Sequence, residues 1–289
     1  MLDARCWMLD AGCWMLDARC SMLDARCSML MKILISGASS GIGLFLSQQI
    51  TGEEIWGISR RPVALPGRRH SICDVTDWRQ VEALAAEMGQ EWNELDAVIH
   101  CAGMQGEVGP AMVVDPIRWV ETVQQNIAGA YFLLRAIFPL LASQAESRPR
   151  VILFSGGGAS KPRPNFSAYA CAKTALVRLT EQLAAEWGTS GPAINIVAPG
   201  AINTAMTEEV VRLGPDKVGL AEFERAQKQL ASAGDDPVRL LTLIQFLLSP
   251  TAEKVSGRFI SAQWDSVEDI LASAQSTDEE RFTLRRVTE

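Results

Sequence analysis

The sequence predicts an α/β protein, a single domain built on a doubly wound parallel sheet of about seven strands. Two observations carry that expectation. From Met31 onward, short β-branched runs alternate with longer helical patterns, as in a parallel sheet covered on both faces. The first such run leads at once into a glycine-rich turn that opens a helical pattern. In order, Lys32 to Ser36 reads as the first strand, Glu54 to Ser59 as the second and Arg69 to Cys73 as a short third. Leu95 to His100, Val151 to Ser155, Ala193 to Val197 and Arg258 to Ser261 follow as strands four to seven. Helical patterns fill the gaps over Ile42 to Gln49, Trp78 to Met88, Pro116 to Ala142, Ala168 to Trp187 and Pro237 to Leu248. Between Thr204 and Asp236 the helical pattern is broken by Gly214-Pro215, Gly219 and Gly234, which suits a mobile flap over a pocket. After Trp264 the chain turns polar and charged, so the domain is expected over residues 31–265, with 266–289 as a surface tail or subunit contact.

Residues 1–30 stand apart, reading MLDARCW, MLDAGCW, MLDARCS, MLDARCS, near-identical copies of a seven-residue unit. The unit supplies Cys6, Cys13, Cys20 and Cys27, evenly spaced and without the C-x-x-C pairing of zinc sites, so no metal is expected. It lacks the e/g charge pattern of a coiled coil and the basic and apolar regions of a secretory signal. A translated tandem repeat, or a start codon assigned too early, fits better, and Met31 is taken as the functional start. Cys73, Cys101 and Cys171 then read as the reduced thiols of a cytoplasmic enzyme. A net charge of -7 with no basic stripe argues against nucleic acid, and the longest apolar runs, such as Leu240 to Leu248, are too short for a bilayer.

Three stretches carry chemistry. Tyr169 and Lys173 lie four residues apart in a helical pattern and so on one helix face, where an ammonium favours the phenolate and makes the phenol a better acid near neutral pH. Gly37, Gly41 and Gly43 form G-x-x-x-G-x-G between the first strand and the first helix. The backbone from Gly37 through Ser39, Ser40 and Ile42 can there approach a pyrophosphate at a helix N-terminus. The second strand ends in Ser59-Arg60-Arg61, without the carboxylate that would take a free ribose hydroxyl; Arg60 would instead pair with a 2′-phosphate, favouring NADP(H) while leaving NAD(H) possible. Asp74, followed by Val75, either accepts from an adenine amino group or caps the helix that starts near Trp78.

Together these stretches resemble the short-chain dehydrogenase/reductase family from about Lys32 to Asp265. The glycine loop, the turn Cys101-Ala102-Gly103, Asn126, the Tyr169/Lys173 helix and Pro199-Gly200 with Ile202 and Thr204 occur in the family's order. The resemblance implies a Rossmann-like domain that transfers a hydride between a nicotinamide and a carbonyl or alcohol carbon of a small-molecule substrate. Tyr169 would exchange the proton, Lys173 would bind the ribose hydroxyls, Asn126 would hold a water, and Pro199 to Thr204 would contact the carboxamide. It also implies a homodimer or homotetramer. Two positions depart from the pattern. Cys101 stands where the family has asparagine, and Gly156 stands where it has the serine that polarises the substrate. Ser155, Ser160 or a backbone N–H of Gly156 to Gly158 could substitute, although strand alternation turns residue 155 to the other face. If none does, the chain is a catalytically impaired relative or a nucleotide sensor. A sugar-nucleotide epimerase fits less well, because the region after Pro199 is short. Lys161, Arg163 and Asn165 fall near the pocket mouth, and the substrate itself is not legible.

Overall fold

The computed structural model describes residues 30–142, 147–232, 234–275 and 281–285. The expectations for the repetitive leader fall outside them. Seven strands, β1 (Lys32–Ser36), β2 (Glu54–Ser59), β3 (Arg69–Ile72), β4 (Ala97–His100), β5 (Arg150–Phe154), β6 (Ala193–Ala198) and β7 (Phe259–Ser261), form one sheet in the order β3-β2-β1-β4-β5-β6-β7. Every pairing is parallel. The doubly wound fold expected from the sequence is the one observed.

The helices between them are α1 (Gly41–Gln49), α2 (Trp78–Glu91), α3 (Pro116–Ala142) and α4 (Ser167–Trp187). Ile33, Leu34 and Ile35 on β1 are all fully buried, because a parallel strand is covered on both faces and needs no polar side. Leu34 joins a core with Leu84 and Met88 of α2, Leu133 and Ile137 of α3, and Leu176 of α4. Trp56 and Trp92 meet edge-on in this layer, with ring centroids 5.3 Å apart. Alternation turns Ile33 and Ile35 the other way. Asp77, not Asp74, caps α2 by accepting from the N–H groups of Arg79 and Gln80, and Asp74 Oδ1 accepts from the backbone N–H and hydroxyl of Thr76.

Between β6 and β7 lie α5 (Ala205–Leu213), α6 (Pro215–Val218), α7 (Leu220–Ala231) and α8 (Pro237–Leu248). The breaks fall at Gly214 and Gly219, as the sequence indicates. Val210, Val218 and Ala226 from the first three helices bury themselves against Val108 and Phe166, so this segment carries a small apolar core of its own. The polar stretch after Trp264 differs from the expected surface tail. It forms α9 (Val267–Gln275), whose Ile270 is fully buried, and the Phe282 carbonyl accepts from the N–H of Phe259 at 2.7 Å. Its apolar positions are too few to stand out by composition, and they become meaningful only once the β7 edge needs a cover.

One side chain fixes the crossover where β1 and β4 lie side by side. The Ser36 hydroxyl sits 2.9 Å from His100 Nδ1 and accepts from the N–H of Ala102 at 3.1 Å, locking the end of β1 to the turn after β4. Ser36→Ala leaves the buried His100 Nδ1 and the half-buried Ala102 N–H without this partner and is expected to cost about 1–3 kcal/mol of stability, read by urea unfolding.

Candidate active site

In an open parallel sheet a ligand crevice opens at the carboxyl ends of the strands where the winding reverses, here between β1 and β4. A cleft lies there, lined among others by Gly37, Ser39, Ser40, Ser59, Arg60, Arg61, Asp74, Val75, Ala102 and Gly103. Gly37 has φ 71°, and a β-carbon on it would stand 2.9 Å from the Ala102 nitrogen, so only glycine lets the loop fold against the β4 turn. Ser40 begins α1 in extended backbone without a capping hydrogen bond from its side chain, and Gly41 and Gly43 lie in the helix's first turn. The first-turn N–H groups are thereby available to an anion. Ile42, half-buried in that turn, contributes backbone only to this arrangement. Thr204, at the start of α5, brings its Cγ2 to 3.5 Å from the β-carbon position of Gly41, so the turn after β6 reaches the glycine loop. Within that turn Gly200 has φ 87°, the Ala201 N–H donates to Asp235, and Ile202 pairs with Gly234. Arg60 and Arg61 are exposed at the cleft's other end, and among the described residues neither is held by a carboxylate.

Helix α4 carries Tyr169 and Lys173 inward, both buried. Lys173 Nζ donates to the Phe154 carbonyl at 3.0 Å and lies 5.6 Å from the Tyr169 ring centroid. A β-carbon on Gly103, which lines the cleft, would stand 3.4 Å from Lys173 Nζ and 3.0 Å from Asn126 Oδ1, so both side chains lie close behind it. Asn126 is wholly engaged with protein: its Nδ2 donates to the Thr122 and Met104 carbonyls at 2.9 Å, and its Oδ1 accepts from the Met104 N–H at 3.3 Å. It pins the strand-end loop to α3. A β-carbon on Gly156 would run directly into the Tyr169 hydroxyl. Position 156, not 155, therefore faces the phenol, and the phenol occupies the room a side chain there would need. Ser155 Oγ is buried without a hydrogen-bond partner, Ser160 is exposed, and neither is joined to Tyr169 by a hydrogen bond.

The electrostatics correct one expectation. Burial, not Lys173, dominates the Tyr169 hydroxyl and pushes its pKa above the usual phenol value; the charge that opposes this is the Arg163 guanidinium. Burial also draws Lys173 down to about 8, so its ammonium is a weakened source of positive potential. His100, buried behind it, is drawn down to about 3 and is neutral. Cys101, in the position expected to hold asparagine, is kept as a thiol by burial.

A sequence model described as enoyl-(acyl carrier protein) reductase, from the short-chain dehydrogenase group, matches residues 61–263. The chain belongs to the short-chain dehydrogenase/reductase family. It is 27% identical over 248 residues to the (S)-benzoin-forming benzil reductase of Saccharomyces cerevisiae, covering 79% of this chain and 94% of that one. It is 30% identical over 203 residues to a short chain dehydrogenase of Aspergillus terreus, covering 70% of this chain but only 42% of the longer relative. A short chain dehydrogenase from Escherichia coli CFT073, solved with NADPH, superposes with a TM-score of 0.68 at 23% identity, over 82% of this chain and 98% of that one. As a short-chain dehydrogenase/reductase the chain is an NAD(P)-dependent oxidoreductase acting on carbonyl or alcohol groups, and its glycine loop and open α1 turn fit that cofactor.

Sequence reasoning missed two groups in this short-chain dehydrogenase. Ser36 reads as an ordinary strand residue until its hydroxyl is seen to clasp the β4 turn, and no sequence signal marks it. Arg163 reads as a loop charge near the mouth, yet its guanidinium stacks 3.8 Å over the Phe166 ring and lies 5.9 Å from the Tyr169 ring.

The Lys173 pKa falls on folding, from 10.5 to about 8, so within that window the unfolded chain binds more protons and stability rises with pH. Relative to Lys173→Met, the wild type is expected to gain about 2 kcal/mol between about pH 8 and about pH 10, measured by denaturant unfolding at each pH. A flat difference would show that the ammonium is not desolvated.

Proposed function

We propose that this chain interconverts a carbonyl and an alcohol with NADP(H) as the preferred cofactor, Tyr169 being the group that moves the proton. The observation that carries the reading is that Tyr169 and Lys173 are buried on one helix face, the phenol against Gly156 and the ammonium close behind Gly103, which lines the cleft. The nicotinamide supplies or accepts the hydride. In reduction the Tyr169 hydroxyl gives its proton to the substrate oxygen, and in oxidation the phenolate takes it. Lys173 binds the ribose side of the cofactor and replaces part of the water lost to the buried phenol. Asn126 acts by holding the Gly103–Met104 backbone that both cleft and lysine lean on. The turn from Pro199 to Thr204 closes over the glycine loop and is assigned the carboxamide. Preference for NADP(H) rests on Arg60 and Arg61 at the far end, where a forked guanidinium matches a 2′-phosphate. The NADPH complex of the E. coli structure supports the same choice. Exposed Ile117, Val120 and Tyr131 on α3 support assembly into a homodimer or homotetramer.

Tyr169→Phe is expected to lower NADPH oxidation at least about a hundredfold across a panel of ketones and aldehydes, with NADPH affinity nearly unchanged. Unaltered turnover would exclude Tyr169 as the acid. Exchanging Arg60 and Arg61 together for Ala should weaken NADPH at least about tenfold, as befits lost charged hydrogen bonds, and leave NADH almost untouched. Equal losses for the two cofactors would remove the 2′-phosphate assignment.

A further inference from the structure

The loop between β5 and α4 has no hydroxyl facing the phenol, yet it brings a charge there. Arg163 leaves this loop, its Cδ 3.6 Å from the β-carbon position of Gly157, and its guanidinium lies over the Phe166 face with the Tyr169 ring beyond. On its other side Glu222 of α7 accepts from Nε at 3.0 Å and from Nη2 at 2.5 Å. The two side chains are only 15% and 13% exposed, which makes this a shielded pair unlike the ordinary surface bridges of the chain. Glu222 is also paired with Arg225, one turn along α7.

We propose that Arg163 is a second cation that acts with Lys173 in setting the acidity of Tyr169, and that Glu222 on the helical flap moderates its effect. This rests on the reading of Tyr169 as the proton donor. The other charged or titratable groups facing the phenol leave room for such a role. Lys173 approaches along α4 with its ammonium 5.6 Å from the ring centroid and donating to the Phe154 carbonyl, so its charge acts on the phenol beside that of Arg163, while His100 and Cys101 at the end of β4 are uncharged near neutral pH. From α7 come only Glu222 and Arg225. A guanidinium beside the ring stabilises the phenolate; a carboxylate on that guanidinium takes part of the effect away. Because Glu222 belongs to α7 and Arg163 to the β5–α4 loop, any movement of α7 away from the loop strengthens the cation's hold on the phenol.

The chain contains only two tyrosines, Tyr131 and Tyr169, so in a Tyr131→Phe background the near-ultraviolet absorbance of tyrosinate reports Tyr169 alone and needs no substrate. The titration is run on the folded chain saturated with oxidised NADP, with circular dichroism confirming the fold at each pH. Arg163→Gln is expected to move the midpoint upward, and Glu222→Gln downward, each by about one pH unit. The double variant should fall between them, and Arg163→Lys should stay near the parent. Opposite movements are the signature of charge, since loss of packing would act in one direction for both. If Arg163→Gln does not fold, Glu222→Gln and Arg163→Lys still decide the matter. Shifts in the same direction, no shift with Glu222→Gln, or an Arg163→Lys shift as large as that of Arg163→Gln would each overturn the proposal. Such a failure would leave Tyr169→Phe inactive and the proton-donor reading intact, whereas an active Tyr169→Phe would remove that reading whatever the titration gives.

Discussion

The site depends on an ammonium group taken out of water. Lys173 is buried on α4 with one hydrogen bond to the Phe154 carbonyl, and the burial that holds it there lowers its pKa to about 8. A buried cation is tolerated only where acceptors such as backbone carbonyls are offered to it. That condition fixes the neighbourhood. A side chain at Gly103 would crowd Asn126 Oδ1 at 3.0 Å, burial holds His100 neutral, and the β5 strand ends with the Phe154 carbonyl turned toward α4. The same burial that places the lysine also raises the phenol beside it, so the site needs a further source of positive potential.

That requirement gives the glycines after β5 a coherent reading. A side chain at position 156 would collide with the Tyr169 hydroxyl, and one at 158 would press on Ala170. The loop therefore passes close to α4 as bare backbone and brings the Arg163 guanidinium to the phenol, anchored by an aromatic face and a flap carboxylate. Departure from the family serine and the presence of a shielded guanidinium are two aspects of one local packing arrangement. The flap is held by the same contact and by the apolar cluster of Phe166, Val210 and Val218, partly by charge and partly by burial.

Much of the candidate site was legible because its elements are local. The glycine loop, the i,i+4 pair of Tyr169 and Lys173 and the arginines after β2 are each encoded within a few residues, where backbone geometry leaves little choice. The breaks at Gly214 and Gly219 were legible for the same reason. The helix after Trp264 was not, since the surroundings that bury its Ile270 are brought there only by the rest of the fold. Ser36 was invisible for a similar reason: its partners lie 64 and 66 residues away.

By itself the sequence determined an all-parallel sheet wound with helices, because alternating apolar runs and helical periodicities admit few other layered solutions. It also determined which residue types could handle a phosphate, a hydride carrier and a proton. Tertiary structure alone decided how those groups act on one another. Whether a phenol is made more or less acidic depends on its distance from water and from each surrounding charge, and these distances span β4, β5, α4 and α7. Spacing along the chain placed a cation four residues from Tyr169; the fold buried that cation and brought another, from the β5–α4 loop, to 5.9 Å from the same ring.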